Sequence, residues 1–360
     1  MERILATYRV TAPESESRAR AEALAAEQSV EMPLSAIADE RILKEIVATV
    51  ESIRPGPGAF EVTLGIAPAT TGNEASQLVN MLFGNCSLQP EVELLDVVFP
   101  AGFEKCFTGP RFGIEGIRRI AGVQGRALTC TALKPQGSSV EDLAQLARTF
   151  ALAGIDVIKD DHGIADQAYS PFAERVGAVQ RALSEANRQT GGKTIYAPTF
   201  SGGPRALAEQ ARIAKAQGVS MGLVAPMLVG LPSFVELQLD LDLPLMAHPA
   251  FAGANRIAPP LLLGKLFRLL GADATIFPNY GGRFSYSQST CLAIAAAARE
   301  PWPGVRPTLP VPAGGMSIER VAEMKQIYGE GVMLLIGGGL LTAGDKLLER
   351  SREVVAAVRG

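Results

Sequence analysis

Histidine is almost missing from this chain of 360 residues: it has only His162 and His248. Any site that uses imidazole must draw on one or both. Cysteine is scarce too. Cys86, Cys106, Cys130 and Cys291 show no metal-ligand spacing and no disulfide-like pattern. They read as reduced, mostly buried thiols of a cytoplasmic protein. The net charge is −3 and there is no basic run, which argues against a nucleic-acid surface. No stretch reaches the ~18 continuous apolar residues of a membrane span. The Ala-rich run Cys291 to Ala298 stops at Arg299-Glu300. The N-terminus from Met1 to Val10 alternates like a strand and lacks an apolar signal stretch. No Gly-x-Gly-x-x-Gly opens a strand–helix turn, which counts against a doubly wound dinucleotide fold.

What remains is 47% hydrophobic and 20% charged, enough to bury a large core. From about residue 125 the chain alternates short apolar runs with helical patterns. Strands are expected at 127–134, 156–161, 194–200, 220–226, 244–249, 273–278, 308–313 and 332–337. Helices are expected at 140–153, 170–188, 204–217, 232–240, 259–270, 285–299, 317–328 and 343–358. In the first of these, Leu143, Leu146, Phe150 and Ala153 recur at helical steps, and Ser138-Ser139 can cap the start. Eight such pairs predict a (β/α)8 barrel over 119–360. Residues 1–118 are expected to form a separate ferredoxin-like α+β unit. Its strands would be 5–10, 60–66 and 92–99, with Ser52–Ala59 as a Pro/Gly-rich connector.

A barrel gathers its chemistry where the strands end. The unusual residues fall there. Lys134-Pro135-Gln136 ends the first strand, and Lys159-Asp160-Asp161-His162 the second. His248 ends the fifth, and Asn279-Tyr280-Gly281-Gly282-Arg283 follows the sixth. Gly314-Gly315 and Gly337-Gly338 end the seventh and eighth. Glycine pairs on adjacent strand ends can expose backbone N–H groups to a phosphate; tight turns are the plainer alternative. Lys134 and Lys159, flanked by apolar strand residues, suit base or electrophile roles. Asp161 and His162 offer an oxygen and a nitrogen to Mg²⁺, Mn²⁺ or Zn²⁺, or else simply cap a loop. His248 suits proton transfer or a substrate hydrogen bond.

At these residues the chain resembles the RuBisCO large-subunit superfamily. Phe107-Thr-Gly-Pro-Arg-Phe-Gly-Ile-Glu-Gly-Ile-Arg118 is similar to its connector into the barrel. Thr131-Ala-Leu-Lys-Pro-Gln136 is similar to its Lys-Pro-Lys motif, and Gly154-Ile-Asp-Val-Ile-Lys-Asp-Asp-His162 to its Gly-x-Asp-x-x-Lys-Asp-Asp-Glu metal motif. Pro312-Ala-Gly-Gly315 and Ile336-Gly-Gly-Gly339 resemble its two phosphate segments, and His248 its fifth-strand histidine. The resemblance implies a homodimer with a shared site and Mg²⁺ held by Lys159 (as its carbamate), Asp161 and His162. It also implies an enediolate of a phosphorylated ketose, with Lys134, Lys159 and His248 as catalytic groups.

The departures exclude a carboxylase. Gln136 replaces the second lysine of Lys-Pro-Lys, and His162 the metal glutamate. Pro249 and Ala313 replace the residues that hold the second phosphate, while Gly314, Gly315, Gly337 and Gly338 keep the first. Arg283 stands near the place of the closing lysine, and with Gln136 and Asn279 it is expected to bind substrate. This is the pattern of the form IV, RuBisCO-like proteins. It implies enolisation or isomerisation of a monophosphate such as 5-methylthioribulose 1-phosphate, in methionine salvage. A metal-assisted decarboxylase or C–C hydrolase of a keto-acid phosphate, with Arg283 on the carboxylate, is the alternative; a non-catalytic sugar-phosphate binder is another.

Overall fold

The structure is a computed structural model that describes residues 2–284 and 286–360. Two compact units emerge: Met1–Thr108 with Ala252–Leu262, and Gly109–Phe251 with Leu263–Gly360.

The first unit holds β1 (Ile4–Val10), β2 (Thr49–Gly56), β3 (Ala59–Ile66) and β4 (Val92–Val98) in one antiparallel sheet, ordered β2-β3-β1-β4. Helices Ser17–Glu27 and Ala75–Phe83 complete the βαββαβ order of a ferredoxin-like fold. In β1, Ile4, Ala6, Tyr8 and Val10 are buried at every second position, so one sheet face makes the core. The segment Ser52–Ala59, expected as a connector, is mostly strand: Ser52–Gly56 belongs to β2, paired with β3. Pro55 is tolerated there because β2 is an edge strand, where a missing N–H costs no ladder bond. The segment Ala252–Leu262 also belongs to this unit. Leu94 N–H donates to Arg256 O (2.9 Å) and Ala258 N–H to Leu94 O (2.8 Å). Arg256 ties down Ser87, Gln89 and Val92 through their carbonyls.

The second unit contains β5 (Leu128–Leu133), β6 (Val157–Asp160), β7 (Ile195–Ala197), β8 (Thr199–Phe200), β9 (Gly222–Val224), β10 (Leu245–Ala247), β11 (Ala274–Pro278), β12 (Leu309–Ala313) and β13 (Met333–Leu335). They form a nearly closed parallel barrel, ordered β7-β6-β5-β13-β12-β11-β10-β9-β8. All eight expected strands are present. The third is divided at Pro198, so β7 pairs with β6 and β8 with β9.

The helix Gly113–Ala121, which covers part of the expected connector, belongs to the second unit. Its Ile114, Ile117 and Ala121 pack with Leu128, Val157, Ile195, Ala274, Leu309 and Met333, the first residues of their strands. The Asp273 carboxylate anchors it by accepting the N–H groups of Phe112 and Gly113 at 2.7 Å. The compact units divide between Thr108 and Gly109. Apolar packing fills that end of the barrel and leaves the opposite end, where the strands finish, to polar groups.

Between strands, Val140–Ala153 starts with a capping box of Ser139 and Asp142. The segment expected as a helix over 259–270 is wound as π turns over Pro260–Leu266 before Phe267–Leu269. The helix expected from 285 runs Gln288–Arg299. Ser285, like Met1, lies outside the described residues.

Candidate active site

Strand β6 sorts the Lys-Asp-Asp-His run by the two-residue period of a strand. Val157 faces the barrel core, so Lys159 shares its side. Ile158 and Asp160 face the surrounding helices. Lys159 is only 3% exposed and donates from Nζ to the Asp160 carbonyl (2.8 Å). Burial lowers its pKa below that of an ordinary lysine, against the opposing pull of Cys130 and Asp161.

Asp160 is fully occupied. Its Oδ1 accepts from Tyr196 Oη (2.7 Å), and its Oδ2 from Arg175 Nε (3.1 Å) and the Thr199 N–H (3.1 Å). Arg175 spends its remaining donors on the carbonyls of Ser170 and Ala165. This buried ion pair braces the strand end. Sequence reasoning missed it, although a signal was there. Arg175 lies on the apolar face of its helix, with Phe172, Val176, Val179 and Leu183.

Beyond the strand, Asp161 turns toward the mouth of the barrel. Its Oδ1 lies 2.7 Å from Lys134 Nζ and 3.5 Å from His162 Nδ1. Burial pushes the Asp161 carboxyl up. The His162 and Lys134 hydrogen bonds and the Lys159 charge outweigh it and hold the group well below the usual carboxylate range. The His162 ring stacks on His248, with centroids 4.0 Å apart and planes 12° apart. His248 continues the ladder through its N–H to Val224 O (2.7 Å), and its Nδ1 accepts from the Ala250 N–H (3.1 Å). A neutral ring whose Nδ1 accepts carries its proton on Nε2. Lys134, Lys159, Asp161, His162 and His248 thus form one cluster, drawn from the ends of β5, β6 and β10.

The other expected residues divide. Gln136 bridges two loops by donating to the Gly163 carbonyl (2.5 Å). Gly314 and Gly315 are exposed at the end of β12, with φ of +77° and +64°. Gly338 is exposed after β13, beside the half-covered Gly337. A Cβ at Gly314 or Gly338 would meet nothing within 4 Å, so both backbones face open space. Asn279, expected to bind substrate, is buried. It is 1% exposed, accepts from Tyr328 Oη (2.7 Å) and donates to the sulfurs of Met316 and Met324. Arg283 is exposed and lies over its neighbour Phe284, 5.0 Å from the ring centroid.

The model of the family "Ribulose bisphosphate carboxylase large chain, catalytic domain" matches residues 113–282. A ribulose bisphosphate carboxylase-like protein of Rhodopseudomonas palustris is 53% identical over 359 residues, covering 99% of this chain and 98% of that one. The chain belongs to the RuBisCO-like proteins.

The crystal structure of a Rubisco-like protein from the same organism superposes with a TM-score of 0.94 at 49% identity, covering 100% of this chain and 98% of that one. Another relative, a 5-methylthioribulose-1-phosphate isomerase of Rhodospirillum rubrum, is 53% identical over 362 residues, covering 100% of this chain and 97% of that one. A 2,3-diketo-5-methylthiopentyl-1-phosphate enolase of Geobacillus kaustophilus is 36% identical over 287 residues, 77% of this chain and 69% of that one. This RuBisCO-like protein is an enzyme of the isomerase and enolase kind. Its Cys86, Cys130 and Cys291 are buried, Cys106 is exposed, and all four are free thiols. Among the described residues no helix is long and apolar enough to cross a membrane.

Proposed function

We propose that this RuBisCO-like protein is a cytoplasmic methionine-salvage enzyme that isomerises a phosphorylated ketose by proton transfer next to its carbonyl. The preferred substrate is 5-methylthioribulose 1-phosphate. The observation that carries the reading is the cluster of Lys134, Lys159, Asp161, His162 and His248 at the strand ends, on a barrel whose last two strands end in glycine pairs. The isomerase of Rhodospirillum rubrum stands much nearer in sequence than the enolases, which favours isomerisation over the enolase reaction.

Among the described residues no three His, Cys, Asp or Glu side chains are grouped to hold a metal. Asp161 and His162 supply two donors, so a third must come from Lys159. Its burial favours the neutral amine, which is the form that takes up CO₂ as a carbamate. The oxygens of Asp161 and the carbamate would suit Mg²⁺, while the His162 nitrogen suits Mn²⁺ or Zn²⁺ better. When bound, Mg²⁺ would polarise the substrate carbonyl and stabilise the enediolate.

The protein's own groups then divide the work. Neutral His248 offers Nε2–H to a substrate oxygen. Burial is the largest cause lowering its basicity. Lys134, fixed in place by the Asp161 carboxylate, and His248 are the two groups placed to shuttle the proton. The backbone around Gly314, Gly315, Gly337 and Gly338 takes the single phosphate. Pro249 and Ala313 offer no charge to a second one. A homodimer closing each site with the partner's first unit completes the reading.

The test is proton exchange. The protein with Mg²⁺ in D₂O is offered mono- and bisphosphorylated ketoses, and carbon-bound protons are followed by NMR. Exchange or isomerisation with monophosphates alone is expected. No exchange, with CO₂ released from a keto-acid phosphate, would replace the reading with a decarboxylase.

A further inference from the structure

Four residues outside the catalytic cluster join the loop after β11 to the glycine pair after β12. Arg320 ends a short turn, Ile318–Arg320, that leads into the helix Val321–Tyr328. Its Nη1 donates to the carbonyls of Tyr280 (3.0 Å) and Gly315 (2.9 Å). Its Nε and Nη2 hold the Glu323 carboxylate at 3.0 and 3.3 Å. The guanidinium lies over the Tyr280 ring, 4.8 Å from the centroid, and Tyr280 Oη donates to Glu323 Oε1 (2.5 Å). The two loops also touch directly. A Cβ on Gly315 would stand 2.5 Å from Gly282 Cα, so only glycine permits this approach. Farther along the same helix, Met324 and Tyr328 hold Asn279. One helix face thus fixes the strand-end loop at Asn279 and at Tyr280.

The charge of Arg320 is matched by Glu323, so it does not act as a free cation for an anion. Its effect is geometric. In a trans peptide the C=O and the following N–H point in opposite directions. Holding the Gly315 carbonyl on the Arg320 side therefore turns the Met316 N–H the other way. Without that anchor, a Gly-Gly pair has wide conformational freedom and no fixed donor directions.

We infer that Arg320 is a positioning residue for the phosphate end of the site, presetting the backbone donors around Gly314 and Gly315 and tying them to the Tyr280–Gly282 loop. This rests on the reading of those glycines as a phosphate cradle. Lysine cannot substitute, because one ammonium does not reproduce two carbonyl contacts, a carboxylate fork and a ring stack.

The test is a ³¹P NMR titration of the full chain with inorganic phosphate, together with KM and kcat for 5-methylthioribulose 1-phosphate. Arg320→Gln should weaken phosphate binding and raise KM by about tenfold, leaving kcat within about threefold. Arg320→Lys should stay nearly as weak. Tyr280→Phe, which keeps the ring but loses the Glu323 bond, should weaken binding by about threefold and guards against a misfolded Arg320 variant. Phosphate binding unchanged in Arg320→Gln or in Tyr280→Phe, or fully restored in Arg320→Lys, overturns the positioning role. Wild-type protein that isomerises the substrate but binds no phosphate overturns the cradle itself, and this role with it.

Discussion

His162 and His248 lie face to face, 4.0 Å between ring centroids, in a site that also holds Lys134 and Lys159. Two imidazolium charges at that spacing would repel by about 4 kcal/mol at an effective dielectric of 20. The fold keeps His248 neutral, and that has a pH consequence. An unfolded histidine takes up a proton as pH falls below about 6.5. Folded His248 does so only near 2, because burial comes first and the neighbouring charges add to it. Stability should therefore be full above about 6.5 and decline as pH falls toward the folded value, by at most about 1.4 kcal/mol per pH unit for this proton. Urea midpoints measured from about pH 7 to 4.5 should fall less steeply in His248→Gln than in wild type. Parallel slopes would remove His248 from the account.

Asp161→Asn keeps the shape of the side chain but removes the anion that faces Lys134 and His162. Isomerisation should drop by at least about a hundredfold. Mn²⁺ binding, followed by EPR of the ion, should be lost as well. Activity that persists in the variant after EDTA treatment would show that the metal is dispensable.

Gly315→Ala places a methyl against Gly282 at a backbone with φ of +64°. Strain at such a position costs about 1–3 kcal/mol. Part of that should be relieved by moving the loop, so KM for a phosphorylated substrate should rise by about tenfold with kcat little changed. An unaltered KM would mean that the phosphate does not sit there.

Breaking the Arg175–Asp160 pair leaves a buried carboxylate without its cation. Arg175→Met should destabilise the protein by about 3–5 kcal/mol in urea unfolding, and adding Asp160→Asn should restore a large part of that. Additive losses in the double variant would argue that the two side chains do not act as a pair.

The barrel and its cluster were legible because they depend on local chemistry. A lysine, an acid or a glycine pair at the end of an apolar strand is rare and visible in one dimension. What escaped depended on partners distant in sequence. Asp160 is the sequence neighbour of Asp161, but strand alternation sends it outward to Arg175 and Tyr196. Asn279 looked like a substrate ligand because the sequence does not show Tyr328 and two methionines waiting behind it. Nothing in the sequence marks Arg320 apart from the other arginines. Ser52–Gly56 was misread because proline and glycine signal turns unless the strand is at a sheet edge. Phe107–Arg118 was recognised as a passage into the barrel, but the burial of its helix there required the strand starts it covers.

The return of Ala252–Leu262 to the first unit makes the order of synthesis matter. Arg256 and the Val92 carbonyl it holds are 164 positions apart in the chain. On the ribosome, the ferredoxin-like sheet can form early, but the Leu94 edge stays open until more than half the barrel has emerged. Such a distant closure is slow because a long loop must be ordered first. A fragment ending at Thr108 would carry that edge permanently exposed, a template for pairing with other chains.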